Sequence, residues 1–300
     1  MGRPPFGVAM TGRPLWLIVA PVVFLLLWSG GYAVAKVGLE HARPLTILCL
    51  RYGLVVVIMG VLFAVLRPPL PRRLADWGHL AVVGVLIQSV YFGMTYLALI
   101  NGIAAGTAAL LMSMQPILVA LIAPRWSGER IGGRAWIGLG LALVGAVTVI
   151  VARLEIGPAP VFGFALALIG LGGMTGATLW EKRFGLSHHP VTANLVGYAA
   201  GLLCLLPFLA QQGVGEIAWN GEFVFVMFYL VIGNSVIAVG LLLAMIRAGQ
   251  VARVSALFFL VPPLAGLIAW VTLGDAMPAA AWAGLALAAA GVFVATRRPS

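Results

Sequence analysis

Ten runs of apolar residues, each close to the roughly 17–25 residues a helix needs to cross a bilayer, occupy this chain from end to end. They fall at 15–37, 45–66, 77–100, 103–124, 134–152, 160–180, 191–210, 223–246, 254–273 and 279–296. Polar breaks separate them: "RPPLPRR" after the second, "PRWSGER" after the fourth, "EIGPAP" after the fifth, "SHHP" after the sixth and "QQGVGE" after the seventh. The third and fourth runs nearly fuse through "INGIAAG". They are separate elements because about 48 apolar residues cannot form one span. Charged residues make up 9% of the chain, against about 25% for a soluble domain, too few to cover a water-facing surface. The class is an all-α integral membrane protein. The first run resembles a secretory leader, but at about 20 residues it has the length of a span.

The chain also repeats itself. "PILVALIAPRWSGE", Pro116 to Glu129, returns as "PPLAGLIAWVTLGD", Pro262 to Asp275, a shift of 146 positions. In the same frame Lys36 falls on Lys182, Pro44 on Pro190, Thr46 on Thr192, Tyr52 on Tyr198, Ser89 on Ser235, Trp136 on Trp282 and Gly145 on Gly291. Matched Trp, Gly and Pro in one ungapped frame argue for true duplication. The expected organisation is a first repeat over 1–155 and a second over 156–300, with five helices each. Five is odd, so the second copy must enter the membrane from the opposite face, giving an inverted-topology repeat.

Charge tests the inversion. The two tails and the loops after the second, fourth, sixth and eighth runs hold 14 of the 18 Lys and Arg. The opposite face holds Lys36, Arg43 and Arg153, while Arg51 lies inside a run. Basic loops stay cytoplasmic, so both termini are expected there. Arg125, Arg130 and Arg134 become Val271, Ala276 and Ala280 in the second copy, because loop charge follows sidedness while the fold repeats. The net charge of +10 therefore reflects orientation, and nucleic acid is not an expected partner.

Two segments carry a family resemblance. "WSGGYAVAKVGLEHARPLTILCLRYGL" (28–54) resembles the first two helices of the EamA family of the drug/metabolite transporter (DMT) superfamily, and "YLALINGIAAGTAALLMSMQPILVALIAPRWSGERI" (96–131) resembles its third and fourth. The resemblance extends over nearly the whole chain, doubling included. It implies ten transmembrane helices around a central cavity and a bacterial-type inner membrane location. The family's bacterial members include exporters of amino acids and other metabolites. It also implies that helices 1 and 6 wall the cavity, which places Trp28 and its counterpart Met174 there.

The residues suggest a binding site. Arg51 is the one clear mid-span charge, either a partner for a substrate carboxylate or a structural group paired with Glu40 or outward carbonyls. Trp28 and Tyr32 stand one helical turn apart. Gln88, Tyr91 and Thr95 in helix 3 are spaced i, i+3, i+7, hence on one face, and a polar face must meet protein or water; Asn234 and Ser235 give helix 8 a matching point. Gln115-Pro116 and Val261-Pro262-Pro263 interrupt helices 4 and 9 at matching places, the pattern that marks a transporter site, which brings in Gln115, Ser255 and Phe259 as lining residues. Gly138, Ala142 and Gly145, with Gly284, Ala288 and Gly291, form small-residue packing faces.

The substrate-binding set is therefore Trp28, Tyr32, Gln88, Tyr91, Gln115, Met174, Asn234, Ser255 and Phe259, with Arg51 as a charge partner. No metal or cofactor is expected, and the working unit is expected to be a monomer. The function read from these features is secondary transport of a small metabolite, an amino acid exported by alternating access, or else a metabolite of another class. No HExxH, GxSxG or paired acidic motif supports an enzyme, and no carbonyl filter or charged ring supports a channel. None of the eight acidic residues lies clearly inside a span, so a buried-carboxylate proton relay has no obvious home.

Overall fold

The computed structural model describes residues 16–115, 117–119, 121–122, 133–154, 160–184, 188–247, 257, 260–274 and 277–296. All of its regular elements are helices: α1 (Trp16–His41), α2 (Pro44–Leu66), α3 (Leu74–Gly84, continuing through a π-helical stretch Val85–Tyr91 into Phe92–Ile100), α4 (Ala105–Ser113), α5 (Gly133–Leu154), α6 (Val161–Phe184), α7 (Pro190–Gln212), α8 (Gly221–Phe228, a π-helical stretch Tyr229–Ala238, then Val239–Arg247), α9 (Val261–Leu273) and α10 (Ala279–Thr296). Six segments are long and apolar enough to cross a bilayer: Val19–His41, Pro44–Leu66, Leu74–Ile100, Val161–Glu181, Pro190–Gln212 and Gly221–Leu242. Shorter apolar helices accompany them.

Local sequence sets the helix ends. Pro44 and Pro190 open α2 and α7 in the first turn, where the missing amide proton costs nothing. Asn220 caps α8, its Oδ1 accepting from the Phe223 amide at 2.8 Å. Gly274 closes α9 at φ 65°, a left-handed position that favours glycine. α4 closes at Met114, immediately before Gln115, and α9 begins at the Val261-Pro262-Pro263 run. The interruptions expected there coincide with helix ends; Pro116 itself lies outside the described residues.

Packing follows the 146-residue frame. α2 lies on α7, α4 on α9 and α5 on α10, while α1 meets the π-helical part of α8 as α6 meets that of α3. Tyr52 and Tyr198, one position in two copies, touch with ring centroids 5.6 Å apart at 63°. The equivalent helices α2 and α7 run antiparallel. Thr46, at the start of α2, donates to the Val214 carbonyl beyond the end of α7 at 2.5 Å. Thr192, at the start of α7, donates to the Pro69 carbonyl beyond the end of α2 at 3.3 Å.

Lipid already solvates apolar side chains, so close packing rather than water exclusion holds such helices together. α2 buries Ile47, Leu48, Tyr52 and Val55 and exposes Val57, Val61 and Val65 as one stripe. α5 and α10 interlock through their small residues: a Cβ added to Gly145 would stand 2.4 Å from the Ala288 nitrogen, and one on Gly291 2.3 Å from the Ala142 nitrogen.

The two ends of the bundle differ. At the arginine-poor end, the 213–220 segment lies over the α1–α2 connection. Arg43 Nη1 donates to the Gln212 carbonyl at 3.0 Å, the Ala218 amide donates to the His41 carbonyl at 2.9 Å, and His41 Nε2 meets Glu222 Oε2 at 3.1 Å. The arginine-rich end gathers Arg72 and Arg73 before α3 with the end of α6 and the start of α7.

Candidate functional site

Arg51 sits on α2 only 1% exposed, and the helices around it supply neutral partners. Its Nε donates to Ser235 Oγ at 3.0 Å, its Nη2 to Asn234 Oδ1 at 3.1 Å and its Nη1 reaches Tyr96 Oη at 3.5 Å. The guanidinium carbon lies 4.6 Å from the centre of the Phe92 ring. The π-helical stretch of α8 sets two of these contacts: Ser235 Oγ itself donates five residues back, to the Leu230 carbonyl at 3.0 Å, and Asn234 Nδ2 donates to the Leu27 carbonyl at 3.2 Å. The stretch presents Asn234 and Ser235 together toward Arg51, and π segments recur at functional sites. No carboxylate approaches the guanidinium among the described residues; Glu40, one expected partner, is not in contact with it.

A small hollow, with room for about one water, opens beside this cation. Trp28 and Tyr32 of α1, Tyr91 and Tyr96 of α3, and Asn234 of α8 line it with Arg51. Tyr32 and Tyr91 join their hydroxyls at 3.0 Å across the α1–α3 boundary. Phe24 braces Trp28 at 5.4 Å between ring centroids. Among the described residues of its wall the hollow presents the Arg51 charge, aromatic faces and an amide, and no acidic side chain. The chemistry of this surface suits a carboxylate, and an attached apolar or aromatic group would lie against the rings once the walls part to admit it.

Five expected residues meet here: Trp28, Tyr32, Tyr91, Asn234 and Arg51. Gln88 does not join them. The π-helical stretch Val85–Tyr91 breaks the regular phase of α3, so Tyr91 and Thr95 face the Arg51 cavity while Gln88 lines a second, larger cavity. Tyr52 links the two regions, its hydroxyl donating to the Gln88 carbonyl at 2.6 Å. Gln115 and Met174 line neither cavity; Gln115 Nε2 donates to Thr178 Oγ1 at 2.7 Å, and that hydroxyl donates to the Met174 carbonyl at 3.1 Å. Ser255 and Phe259 lie outside the described residues. Sequence reasoning missed Tyr96 and Phe92 as cavity residues. Their spacing from Arg51's helix carried no signal, because only the packing of α3 on α2 brings them to the guanidinium. Among the described residues no group of three or more His, Cys, Asp or Glu could hold a metal ion.

Comparison with known proteins gives a consistent picture. The model of the EamA-like transporter family matches the chain twice, at residues 15–151 and 161–297. A "Probable amino-acid metabolite efflux pump" of Salmonella typhimurium is 27% identical over 284 residues, covering 91% of this chain and 92% of its own. A "Probable terminal-alkyne amino-acid exporter" of Streptantibioticus cattleyicolor is 27% identical over 300 residues, covering 95% and 94%. A solved crystal structure at 19% identity superposes with a TM-score of 0.63, covering 95% of this chain and 98% of the other, which shows a shared fold. Family and relatives are transporters rather than enzymes, and the apolar helices make the chain a multi-pass membrane protein.

Proposed function

The chain belongs to the EamA-like transporter family, and from that premise we propose that it exports amino acids. In this reading ten spans form two five-helix halves of opposite orientation, residues 1–155 and 156–300, around a central cavity. The halves rock to open that cavity to each side in turn. The arginine-rich end faces the cytoplasm, in keeping with the positive-inside rule, and the working unit is a monomer in the inner membrane.

The observation that carries the substrate class is Arg51. It is a buried guanidinium satisfied by an amide, hydroxyls and a ring but, among the described residues, by no carboxylate, at the wall of an aromatic hollow. A buried charge normally has a charged partner or a hydrogen-bonded network. Here a substrate carboxylate would complete the set, with the side chain against Trp28, Tyr32 and Tyr91. Amino acids with apolar or aromatic side chains fit that arrangement, as do the names of two relatives.

Uptake into proteoliposomes with a panel of labelled amino acids tests the reading. At least one amino acid accumulates, and its methyl ester, lacking the carboxylate, competes poorly. Accumulation of some other solute and of no amino acid would leave family membership intact and end the amino-acid assignment. Turnover of substrate by the purified protein would favour an enzyme. Impermeant labelling of single cysteines placed in the two tails tests the orientation: both tails react from one side only, and reaction from opposite sides would remove the inverted halves.

A further inference from the structure

The second cavity lies toward the arginine-rich end, between α3, α6 and α7, and the repeat shows what it is. Ala35, Arg51, Leu230 and Asn234 line the Arg51 cavity; their counterparts in the 146-residue frame are Glu181, Gly197, Gly84 and Gln88, and all four line the second one. Four of the twelve residues lining the first hollow thus have counterparts lining the second, and at these related positions the charge differs. Where the first has Arg51 the second has Gly197, and where the first has Ala35 the second has the carboxylate of Glu181. Gly197 packs its backbone against Gly84, and the space here is larger than the Arg51 hollow.

Its polar groups are unused. Buried polar atoms in native proteins are nearly always paired. Among the described residues four buried side-chain atoms are not, and three of these, Gln88 Oε1, Trp180 Nε1 and His188 Nε2, belong to residues lining this cavity. Gln88 is 7% exposed. Its counterpart Asn234 has its oxygen taken by Arg51 at 3.1 Å, whereas in this copy the position of that cation is glycine, Gly197. Glu181 stands exposed at the rim and pairs with no described residue. Beside it His79 stacks on Phe184 at 4.6 Å and 8°, and Trp180 packs 4.7 Å from the same ring. The Arg183 guanidinium carbon lies 5.4 Å from that ring's centre, so the wall already draws one cation. A lone carboxylate, ring faces and an unfilled amide acceptor are together the chemistry that holds an organic ammonium.

We propose that this cavity is a binding station for the ammonium group of a small organic ligand, with Glu181 as counter-charge, the Trp180–Phe184–His79 wall beside it and the Gln88 amide at its floor. The proposal deepens the export reading, on which its use in transport rests. A zwitterion meets a negative hollow toward one end of the bundle and a positive one beyond it.

Equilibrium dialysis on the purified full-length protein separates the parts. The probes are labelled 2-phenylethylamine, an amine without a carboxylate, and 3-phenylpropionate, the reverse. The wild type binds the amine, Glu181→Gln weakens that binding about tenfold, the loss expected for one hydrogen bond to a charged group, and Glu181→Asp restores most of it. 3-Phenylpropionate binds all three proteins alike. Amine binding that is absent from the wild type, or unchanged by Glu181→Gln, overturns the proposal. Neither result bears on the export reading, which stands or falls on uptake of amino acids into proteoliposomes.

Discussion

Replacing Arg51 by methionine separates two roles for one side chain: holding a substrate anion and tying α2 to α8. The structural loss is bounded. The bonds to Ser235 at 3.0 Å and Asn234 at 3.1 Å disappear. Hydrogen bonds between helices inside a bilayer average about 0.6 kcal/mol and reach about 1.7, so the pair contributes about 1–3 kcal/mol. The stacking on Phe92 at 4.6 Å adds about 1–2 kcal/mol. Against this, a charge at the centre of a membrane helix costs about 2.5–3.5 kcal/mol, and methionine removes that cost. Ser235 keeps its bond to Leu230 and Asn234 its bond to Leu27, so Asn234 Oδ1 is the main orphan. The sum lies within about 2 kcal/mol of zero. The substrate loses far more, because truncating one member of a buried charge pair costs about 2–5 kcal/mol, on the order of thirtyfold or more in affinity. The assay is initial uptake of the amino acid identified above, well below KM, with thermal unfolding of the same preparation in detergent. The expected result is a shift of a few degrees in Tm and uptake reduced at least thirtyfold. Poor folding together with wild-type uptake per folded molecule would refute the reasoning and make Arg51 a strut.

Three further outcomes follow from the packing. Trp28→Ala enlarges the cavity that Trp28 lines, so in competition assays preference moves toward bulkier side chains; an unchanged ranking would place Trp28 outside the contact surface. Gly291→Leu drives a side chain into the backbone of α5 at Ala142, beyond the usual overpacking cost of about 1–3 kcal/mol, and folded yield falls sharply; Gly53→Leu, with nothing within 4 Å of its added Cβ, folds like the wild type. Tyr52→Phe removes the 2.6 Å bond to the Gln88 carbonyl and costs about 1 kcal/mol, readable as a small drop in Tm with the Tyr198 ring contact retained.

Much of the architecture could be read before any coordinates. Lipid imposes a span length, and duplication leaves a shift detectable in matched Trp, Gly and Pro, so the apolar helices, the two matched repeats and the interlocked glycines of α5 and α10 were all visible as text. The site was visible only in part. Polar and aromatic residues inside apolar runs need a reason to be there, and Trp28, Tyr32, Tyr91, Asn234 and Arg51 do meet at one hollow; their part in binding substrate belongs to the proposal. Regular helical spacing puts Gln88 on one face with Tyr91. The π-helical stretch at Val85–Tyr91 sends them to different cavities, and no residue type announces such a stretch. The wall formed by His79, Trp180 and Phe184 was missed for another cause: these residues lie near helix ends, where aromatics are ordinary, and only the meeting of α3 with α6 gives them a joint meaning.

The contact between Tyr52 and Tyr198 has a mechanical consequence. A residue that touches its own duplicate must sit beside the line about which the two copies are exchanged. If the halves swing about that line, as the proposed alternating access allows, this aromatic couple travels little. At the arginine-poor end His41, Arg43 and Thr46 hold Gln212, Val214 and Ala218, and in that motion these bonds break for the end to open.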